Sequence, residues 1–140
     1  MRLLFVDSAF YIAVLNPRDR LHSAATVLRQ ELAAQSDVLF VTTESVLVEV
    51  LTRLSKAGPP FRAAAADFVQ RLRDDPRLTI LPQDSELFAD GLALYRRRLD
   101  KNYSMTDCMS MVICLQRGIS EVLTADHDFE QEHFAILLKR

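Results

Sequence analysis

The chain has 140 residues, 49% of them hydrophobic, with 17 basic and 19 acidic side chains and a net charge of −2 at pH 7. This length and composition predict one domain with a single core, spanning residues 1–140. The charge balance excludes a protein that binds nucleic acid through a large excess of basic residues. No apolar run reaches the roughly 20 residues that span a membrane.

The N-terminal stretch MRLLFVDSAFYIAVLNP has some features of a signal peptide. Asp7 interrupts it and no small-residue cleavage site follows, so we expect a cytoplasmic protein. Cys108 and Cys114 fall on different faces of one predicted helix, which indicates buried, reduced thiols. No CxxC or HxxxH spacing occurs, so we do not expect a structural zinc site.

Five apolar runs alternate with helical patterns along the chain. The runs predict strands at Leu3–Val6, Val38–Val41, Leu78–Leu81, Glu121–Thr124 and Ala135–Leu138. They are continuous rather than alternating, as in parallel strands that are buried on both faces. Helical stripes lie at Leu21–Leu32, Val46–Leu54, Phe61–Leu72, at Leu87, Leu92, Tyr95 and Leu99, and at Thr106–Arg117. With a first short helix that ends at Asn16-Pro17, this order predicts a doubly wound α/β domain.

Acidic residues follow the predicted strands, at the edge where open α/β sheets bind ligands. Asp7 follows the first strand, Asp126 and Asp128 follow the fourth, and Asp107 opens the most apolar helix. Carboxylates gathered at one edge repel one another unless a cation lies between them. Magnesium and similar hard cations take such oxygen ligands, so the pattern indicates a metal site.

Spacing alone leaves a plainer interpretation open for each acid. Asp7 and Asp126 have the position of helix caps, and Asp107 completes a capping box with Ser104. Glu49 precedes Arg53 by four residues, which is the spacing of a surface ion pair on a solvated helix face.

Four segments together resemble the PIN domain family, which includes the VapC-type toxin ribonucleases of bacterial toxin–antitoxin pairs. The segments are LLFVDSAFYIAVL, TTESVLVEVLTRL, YSMTDCMSMVIC and EVLTADHDFEQEHF, and they cover essentially the whole chain in the family's order. The resemblance places Asp7, Glu49, Asp107 and Asp126 at the family's acidic positions. One departure is Ser8, where many members have threonine or asparagine.

The resemblance implies a three-layer α/β/α fold with a mostly parallel sheet of about five strands. It also implies that RNA phosphodiester bonds are hydrolysed at a site holding one or two Mg²⁺ or Mn²⁺ ions. Asp7, Asp107 and Asp126 would bind the metal, with Glu49 bound directly or through water, and all four would be catalytic. Ser8, Thr106 and Asp128 would support the site.

The resemblance further implies an RNA substrate, an inhibitory antitoxin near the helix spanning Thr43–Lys56, and a homodimer. RNA contact would use basic side chains around the cleft, namely Arg53, Lys56, Arg96, Arg97, Arg98 and Lys101. The arginine triplet is equally compatible with a solvated helix face.

Two other enzyme classes fit poorly. A haloacid dehalogenase-type phosphatase needs a second acid where this chain has Ala9, and a dinucleotide-binding enzyme needs a glycine-rich turn after the first strand. The remaining alternative is a PIN-fold module that binds nucleic acid or protein without cleavage.

Overall fold

The structure is a computed structural model that describes residues 1–139, and this part of the chain forms one sheet flanked by helices. The strands are β1 (Arg2–Val6), β2 (Val38–Thr43), β3 (Leu78–Leu81), β4 (Glu121–Leu123) and β5 (Ala135–Ile136). The helices are α1 (Ser8–Leu15), α2 (His22–Ala33), α3 (Glu44–Leu54), α4 (Pro59–Arg73), α5 (Ser85–Arg97), α6 (Met105–Arg117) and α7 (His127–Gln131). A 3₁₀ turn, Ser55–Ala57, joins α3 to α4.

The sheet has the order β3-β2-β1-β4-β5, and every pair of neighbouring strands is parallel. This confirms the predicted α/β fold with a parallel sheet. β1 is the central strand. The chain first adds β2 and β3 on one side of β1, and it then crosses back to add β4 and β5 on the other side. Such a reversal of strand order opens a crevice at the carboxyl ends of the two strands that flank it. Asp7 directly follows β1 at this point.

Right-handed crossovers in opposite directions place the connecting helices on opposite faces of the sheet. The contacts agree with this arrangement, because α1 packs on α2 and α3, α3 packs on α4, and α5 and α6 pack closely as a pair. Cys108 and Cys114 on α6 are free and buried, as the sequence predicted. None of the helices in residues 1–139 is long and apolar enough to cross a bilayer.

Four of the five strands differ from their predicted bounds, β1 and β4 by one residue and β2 and β5 by two. β2 continues to Thr43, because Thr42 and Thr43 pair with Ile80 and Leu81 of β3. β5 ends at Ile136 rather than at Leu138, because this edge strand pairs with only two residues of β4. Apolar character marked the strands correctly, but it does not show where a strand loses its partner.

Only the first residue of the helical stripe predicted on α5 packs in the core. Leu87 is buried together with Gly91 and Leu94, whereas Leu92, Tyr95 and Leu99 are 43%, 48% and 82% exposed, and Leu99 lies beyond the end of the helix. A Cβ atom at Gly91 would lie 2.6 Å from Met109 Cγ on α6. The absence of a side chain at Gly91 therefore lets the two helices approach and decides which face of α5 is buried.

Gly91→Ala should lower the stability of the protein by about 1 kcal/mol or more. Overpacking a core contact costs about 1–3 kcal/mol, and the better helix propensity of alanine offsets up to about 1 kcal/mol of this. Chemical denaturation of Gly91→Ala, Met109→Ala and the double variant measures the effect. The double variant should lose less than the sum of the single losses, and strictly additive losses would contradict the close contact.

Candidate active site

Asp7 is the most buried of the predicted site residues, with 4% of its surface exposed. It stands at the start of α1, but its side chain makes no capping hydrogen bond to that helix. Instead, Asp7 Oδ2 accepts a hydrogen bond of 2.8 Å from the hydroxyl of Thr124, which follows β4. Its carboxylate is thus held between the ends of β1 and β4, at the reversal of strand order, rather than used as a helix cap.

Asp107 has two roles. It completes the predicted capping box, because the backbone N–H of Ser104 donates to Asp107 Oδ2 at 3.1 Å and the N–H of Asp107 donates to Ser104 Oγ at 3.0 Å. It also lies in the acidic cluster, where the charge of Asp126 acts on it. The cap fixes the side chain at the start of α6 and leaves its other oxygen for a further ligand.

Three carboxylates meet closely enough to share one ion. Ligand oxygens of Asp107, Asp126 and Asp128 all lie within 4.8 Å of one another, and each residue is partly exposed. Asp126 caps α7 as its position predicted, because its Oδ1 accepts from the N–H of Asp128 at 2.9 Å. The short helix α7 thereby turns Asp128 towards the same cluster.

Glu49 is partly buried on α3, and its carboxylate belongs to the same cleft. Ser8 Oγ donates a short hydrogen bond to Glu49 Oε1, which links α3 to the start of α1. The charge of Glu49 also acts on Asp7 and Asp107. No ion pair forms between Glu49 and Arg53 within residues 1–139, so the surface-pair interpretation does not describe this side chain.

The charge state of the cleft reflects burial and mutual repulsion. Burial raises the pKa of Asp7 to about 7, and the negative charge of Asp107 adds to the rise. Burial likewise raises the pKa of Asp107 to about 6, with a contribution from Asp126, and the pKa of Asp128 is raised for the same two reasons. Such shifts mark a site whose carboxylates lack a compensating positive charge.

The donor set fits a hard divalent cation. All five acidic side chains offer carboxylate oxygens, no thiol or imidazole lies among the three that cluster most closely, and partial exposure leaves room for water. Magnesium and manganese sites have this composition. Burial and neighbouring negative charges raise the pKa values of Asp7 and Asp107. A cation at this site would supply the positive charge that stabilises their ionised forms.

Thr124 is a site residue that the sequence marks only as the end of a strand. It is fully buried, donates to Asp7, and accepts from the N–H of Asp126 at 3.1 Å. One hydroxyl therefore positions two of the acidic residues of the site, Asp7 and Asp126. A threonine two residues before an acid at a strand end is the only sequence signal for this role, and it is a weak one.

The predicted basic residues differ in their surroundings. Arg98 is bound to Glu132 at 3.0 Å, and Tyr103 donates to the same carboxylate at 3.1 Å. Lys101 lies 3.7 Å from Asp100. Its positive charge also offsets part of the rise in the pKa of Asp128, which places Lys101 near the acidic cluster. The remaining four are exposed, and they are Arg53, Lys56, Arg96 and Arg97. Thr106 is partly buried beside Asp107.

A cluster of carboxylates at the reversal point of an all-parallel sheet is typical of α/β enzymes that work with a bound divalent metal. The chain belongs to the PIN domain family, whose model matches residues 4–133. Nucleases of this family generally depend on a divalent metal, in agreement with the acidic cluster.

Related proteins include toxins of known specificity. The 23S rRNA-specific endonuclease VapC20 of Mycobacterium tuberculosis is 29% identical over 132 residues, which cover 94% of this chain and 95% of the relative. The crystal structure of M. tuberculosis VapC20, described as a sarcin–ricin loop cleaving toxin, has a TM-score of 0.83 at 25% identity and covers 97% of this chain and 99% of its own.

Two more distant structures share the fold alone. VapBC2 from Rickettsia felis, bound to a DNA fragment from its promoter, has a TM-score of 0.68 at 12% identity and covers 96% of this chain and 97% of that chain. FitAcB from Neisseria gonorrhoeae has a TM-score of 0.62 at 18% identity and covers 96% of both chains.

Proposed function

We propose that this protein is a divalent-metal-dependent endoribonuclease that acts as the toxin of a toxin–antitoxin pair. The observation that carries the proposal is the convergence of Asp7, Asp107, Asp126 and Asp128, with Glu49 at its side, on one crevice of a PIN fold. A structural role for these groups is a poor explanation, because uncompensated buried carboxylates destabilise a fold.

Each side chain has a proposed task. Asp7, Asp107 and Asp126 would hold Mg²⁺ or Mn²⁺, which when bound lowers the pKa of a water ligand and offsets the negative charge that develops on the phosphate. Glu49 or Asp126 would accept the proton of the attacking water. Ser8 orients Glu49 through its hydrogen bond, Thr106 would orient water or a phosphate oxygen, and Asp128 would support Asp126.

Cleavage of labelled RNA tests the proposal. The purified protein should cut RNA in buffer with magnesium or manganese, and it should lose this activity when a chelator removes the metal. A folded protein that binds RNA but cuts none of a panel of ribosomal, transfer and messenger RNAs would favour the non-cleaving binding module instead.

Ribosomal RNA is the substrate to test first. VapC20 is a 23S rRNA-specific endonuclease, and its structure aligns over 97% of this chain. We therefore propose the sarcin–ricin loop of 23S rRNA as the target and the cytoplasm as the compartment. A loop oligonucleotide should be cut at one position, and an oligonucleotide of the same composition with the loop sequence scrambled should remain intact.

Arg96 and Arg97 should contact RNA phosphates, whereas Arg98 should act mainly in stability. Changing Arg96 and Arg97 to glutamine in an Asp107→Asn background should weaken RNA binding and flatten its dependence on salt. The log–log slope should fall by roughly 0.7 for each phosphate that the variant no longer neutralises. Titrations at several salt concentrations measure the slope. Arg62→Gln, an exposed arginine on α4, is the matched control. An unchanged slope in the double variant would contradict RNA binding by these residues.

An antitoxin partner and a homodimer complete the proposal. Structures of VapBC2 and FitAcB share this fold, and α3 carries an exposed apolar residue, Val48, with 60% of its surface exposed. We propose the region of α3, Thr43–Lys56, as the antitoxin surface, because an exposed apolar residue on a helix is a contact point for a partner segment.

The exposed stripe of α5 is the proposed dimer contact. Phe88, Leu92 and Tyr95 lie on one face of the helix and are 46%, 43% and 48% exposed, and Leu99, in the turn that follows the helix, is 82% exposed. A two-fold axis would bring the same stripe of two copies together and bury it. The protein should sediment as a dimer and Leu92→Glu as a monomer, with Val48→Glu as a control that keeps the dimer. A monomeric wild-type protein at micromolar concentration would contradict this contact.

A further inference from the structure

A cavity of about 200 Å³ lies between the sheet and helices α1, α2 and α4. Its walls are mainly apolar and include Val6, Phe10, Val14, Leu32, Phe40 and Phe68. None of the acidic residues of the active site lines it. The cavity is thus a separate space, although Val6 and Leu123 in its wall directly precede Asp7 and Thr124 in the chain.

Tyr11 is the buried polar side chain of the cavity wall, and the charges of Asp75 and Arg29 at the rim act on its phenol. Only 5% of its surface is exposed, its ring packs edge-on against Phe68 with centroids 5.5 Å apart, and burial raises the pKa of its phenol. Within residues 1–139 the structure gives its hydroxyl no hydrogen-bond partner. The only fully occluded polar side-chain atom without a partner in that range is Ser110 Oγ, so the Tyr11 hydroxyl still reaches open space. Buried tyrosine hydroxyls normally find a partner, and a polar atom of a molecule in the cavity would supply one.

The rim of the cavity is charged. Arg77 already donates to four backbone carbonyls, among them Val38 at 2.9 Å and Gln35 at 2.6 Å. Arg29 is exposed, lies over the ring of Phe68 at 5.7 Å from its centroid, and has no ion pair within residues 1–139. Asp75 is bound through Oδ1 to the N–H of Arg77. Arg77 therefore shapes the cavity, while Arg29 and Asp75 leave polar atoms at its edge.

We propose that this cavity binds a small aromatic molecule carrying one polar atom, such as a phenol or an indole, with its ring between α1 and the sheet and its polar atom on the Tyr11 hydroxyl. An ordered water needs two to four polar partners, and the charged side chains of this cavity, Arg29, Asp75 and Arg77, lie at its rim, so water fills the apolar remainder poorly. A cavity of about 150 Å³ lined by apolar side chains already holds benzene, so a cavity of 200 Å³ has room for one substituted ring.

The site has the composition of a small-molecule pocket, with mainly apolar walls and a few polar groups that fix orientation. Its position behind the central strand also separates it from RNA binding, which the proposed function assigns to the carboxyl edge of the sheet. The binding of a small molecule to the cavity can therefore be tested without any reference to RNA cleavage.

Binding of phenol and of benzene, followed by protein NMR, tests the proposal. The resonances of residues lining the cavity should shift saturably with either probe. Tyr11→Phe should weaken phenol binding by roughly fivefold, the effect of one neutral hydrogen bond, and should leave benzene binding within about twofold. Tyr103→Phe makes the same chemical change at a tyrosine that lies outside the cavity and donates to Glu132, and it should alter neither affinity. Val14→Phe should fill the cavity and abolish binding of both probes.

The alternative outcomes are distinct. An absence of saturable shifts with both probes would overturn the proposal and leave a cavity filled with water. Shifts that persist in Val14→Phe would place the probe elsewhere and would also overturn it. Equal losses of phenol and benzene affinity in a folded Tyr11→Phe protein would show that the Tyr11 hydroxyl does not bind the polar atom of the ligand, and would contradict the proposal.

Discussion

Asp7→Asn and Asp107→Asn should each reduce RNA cleavage by at least about 100-fold while the protein stays folded. Loss of one charged group that acts on the transition state typically costs about 10²–10³ in rate, and loss of a metal ligand removes the cation's contribution as well. Asparagine keeps the size of the side chain and can still accept the hydrogen bond from Thr124 to Asp7 or from Ser104 to Asp107. Single-turnover cleavage and circular dichroism measure the two properties.

Variants around the acids should give smaller, graded losses. Thr124→Val and Ser8→Ala leave every carboxylate in place but remove the hydroxyls that position Asp7 and Glu49, and loss of such support typically costs about 10–100-fold in metal affinity or activity. Asp67→Asn, an exposed acid on α4, is the matched control and should retain full activity. Full activity in Asp107→Asn would show that this residue is not part of the active site. A loss of activity in Asp67→Asn as large as that in Asp107→Asn would show that the effect is not specific to the cleft.

The second large effect concerns stability in the absence of metal. Burial raises the pKa of Asp7 in the folded protein to about 7, against an ordinary value of 3.8. Below about pH 4 the carboxyl is protonated whether the chain is folded or unfolded, so it has no effect on stability. Between pH 4 and 7 only the unfolded state releases the proton, so stability falls as the pH rises through this window. Above pH 7 both states are ionised and the loss is complete.

Metal-free Asp7→Asn should therefore be more stable than the metal-free wild type at pH 8, by about 2–4 kcal/mol, and equally stable at pH 4. Millimolar magnesium or manganese should raise the Tm of the wild type at pH 8 and leave that of Asp7→Asn nearly unchanged. Thermal unfolding of both proteins across this pH range, with and without metal, gives the four comparisons. A metal-free Asp7→Asn protein that is less stable than the wild type at pH 8 would show that the buried, ionised Asp7 carboxylate does not destabilise the fold.

The parallel sheet and the order of its elements were predictable because strands buried on both faces are apolar throughout, and helices between them have a clear period. The buried face of α5 was not predictable in the same way. Leu92 and Tyr95 of its predicted stripe are exposed although Leu87 is buried, and its packing is decided by Gly91, which contributes no hydrophobicity to a pattern but permits the close approach of Met109.

The acidic site shows a similar division. Asp7, Asp107 and Asp126 could be selected because they follow strands or open a buried helix, whereas Glu49 could be selected only through the family resemblance. Ser45 and Arg53, which share its face of α3, are polar, as on an exposed helix face, and the contact with Ser8 joins residues that are 41 positions apart. Thr124 was missed because a hydroxyl at a strand end becomes informative only when its partner, Asp7, is known in three dimensions.

Manganese binding and RNA cleavage, followed in the same metal-free preparation, test the central claim most directly. Electron paramagnetic resonance reports bound manganese while labelled sarcin–ricin loop RNA reports cleavage. We predict that both rise together with one midpoint as manganese is added, and that Asp107→Asn loses both. Cleavage that persists without metal, or manganese binding that survives unchanged in Asp107→Asn, would contradict the assignment of this carboxylate cluster as the metal-dependent active site.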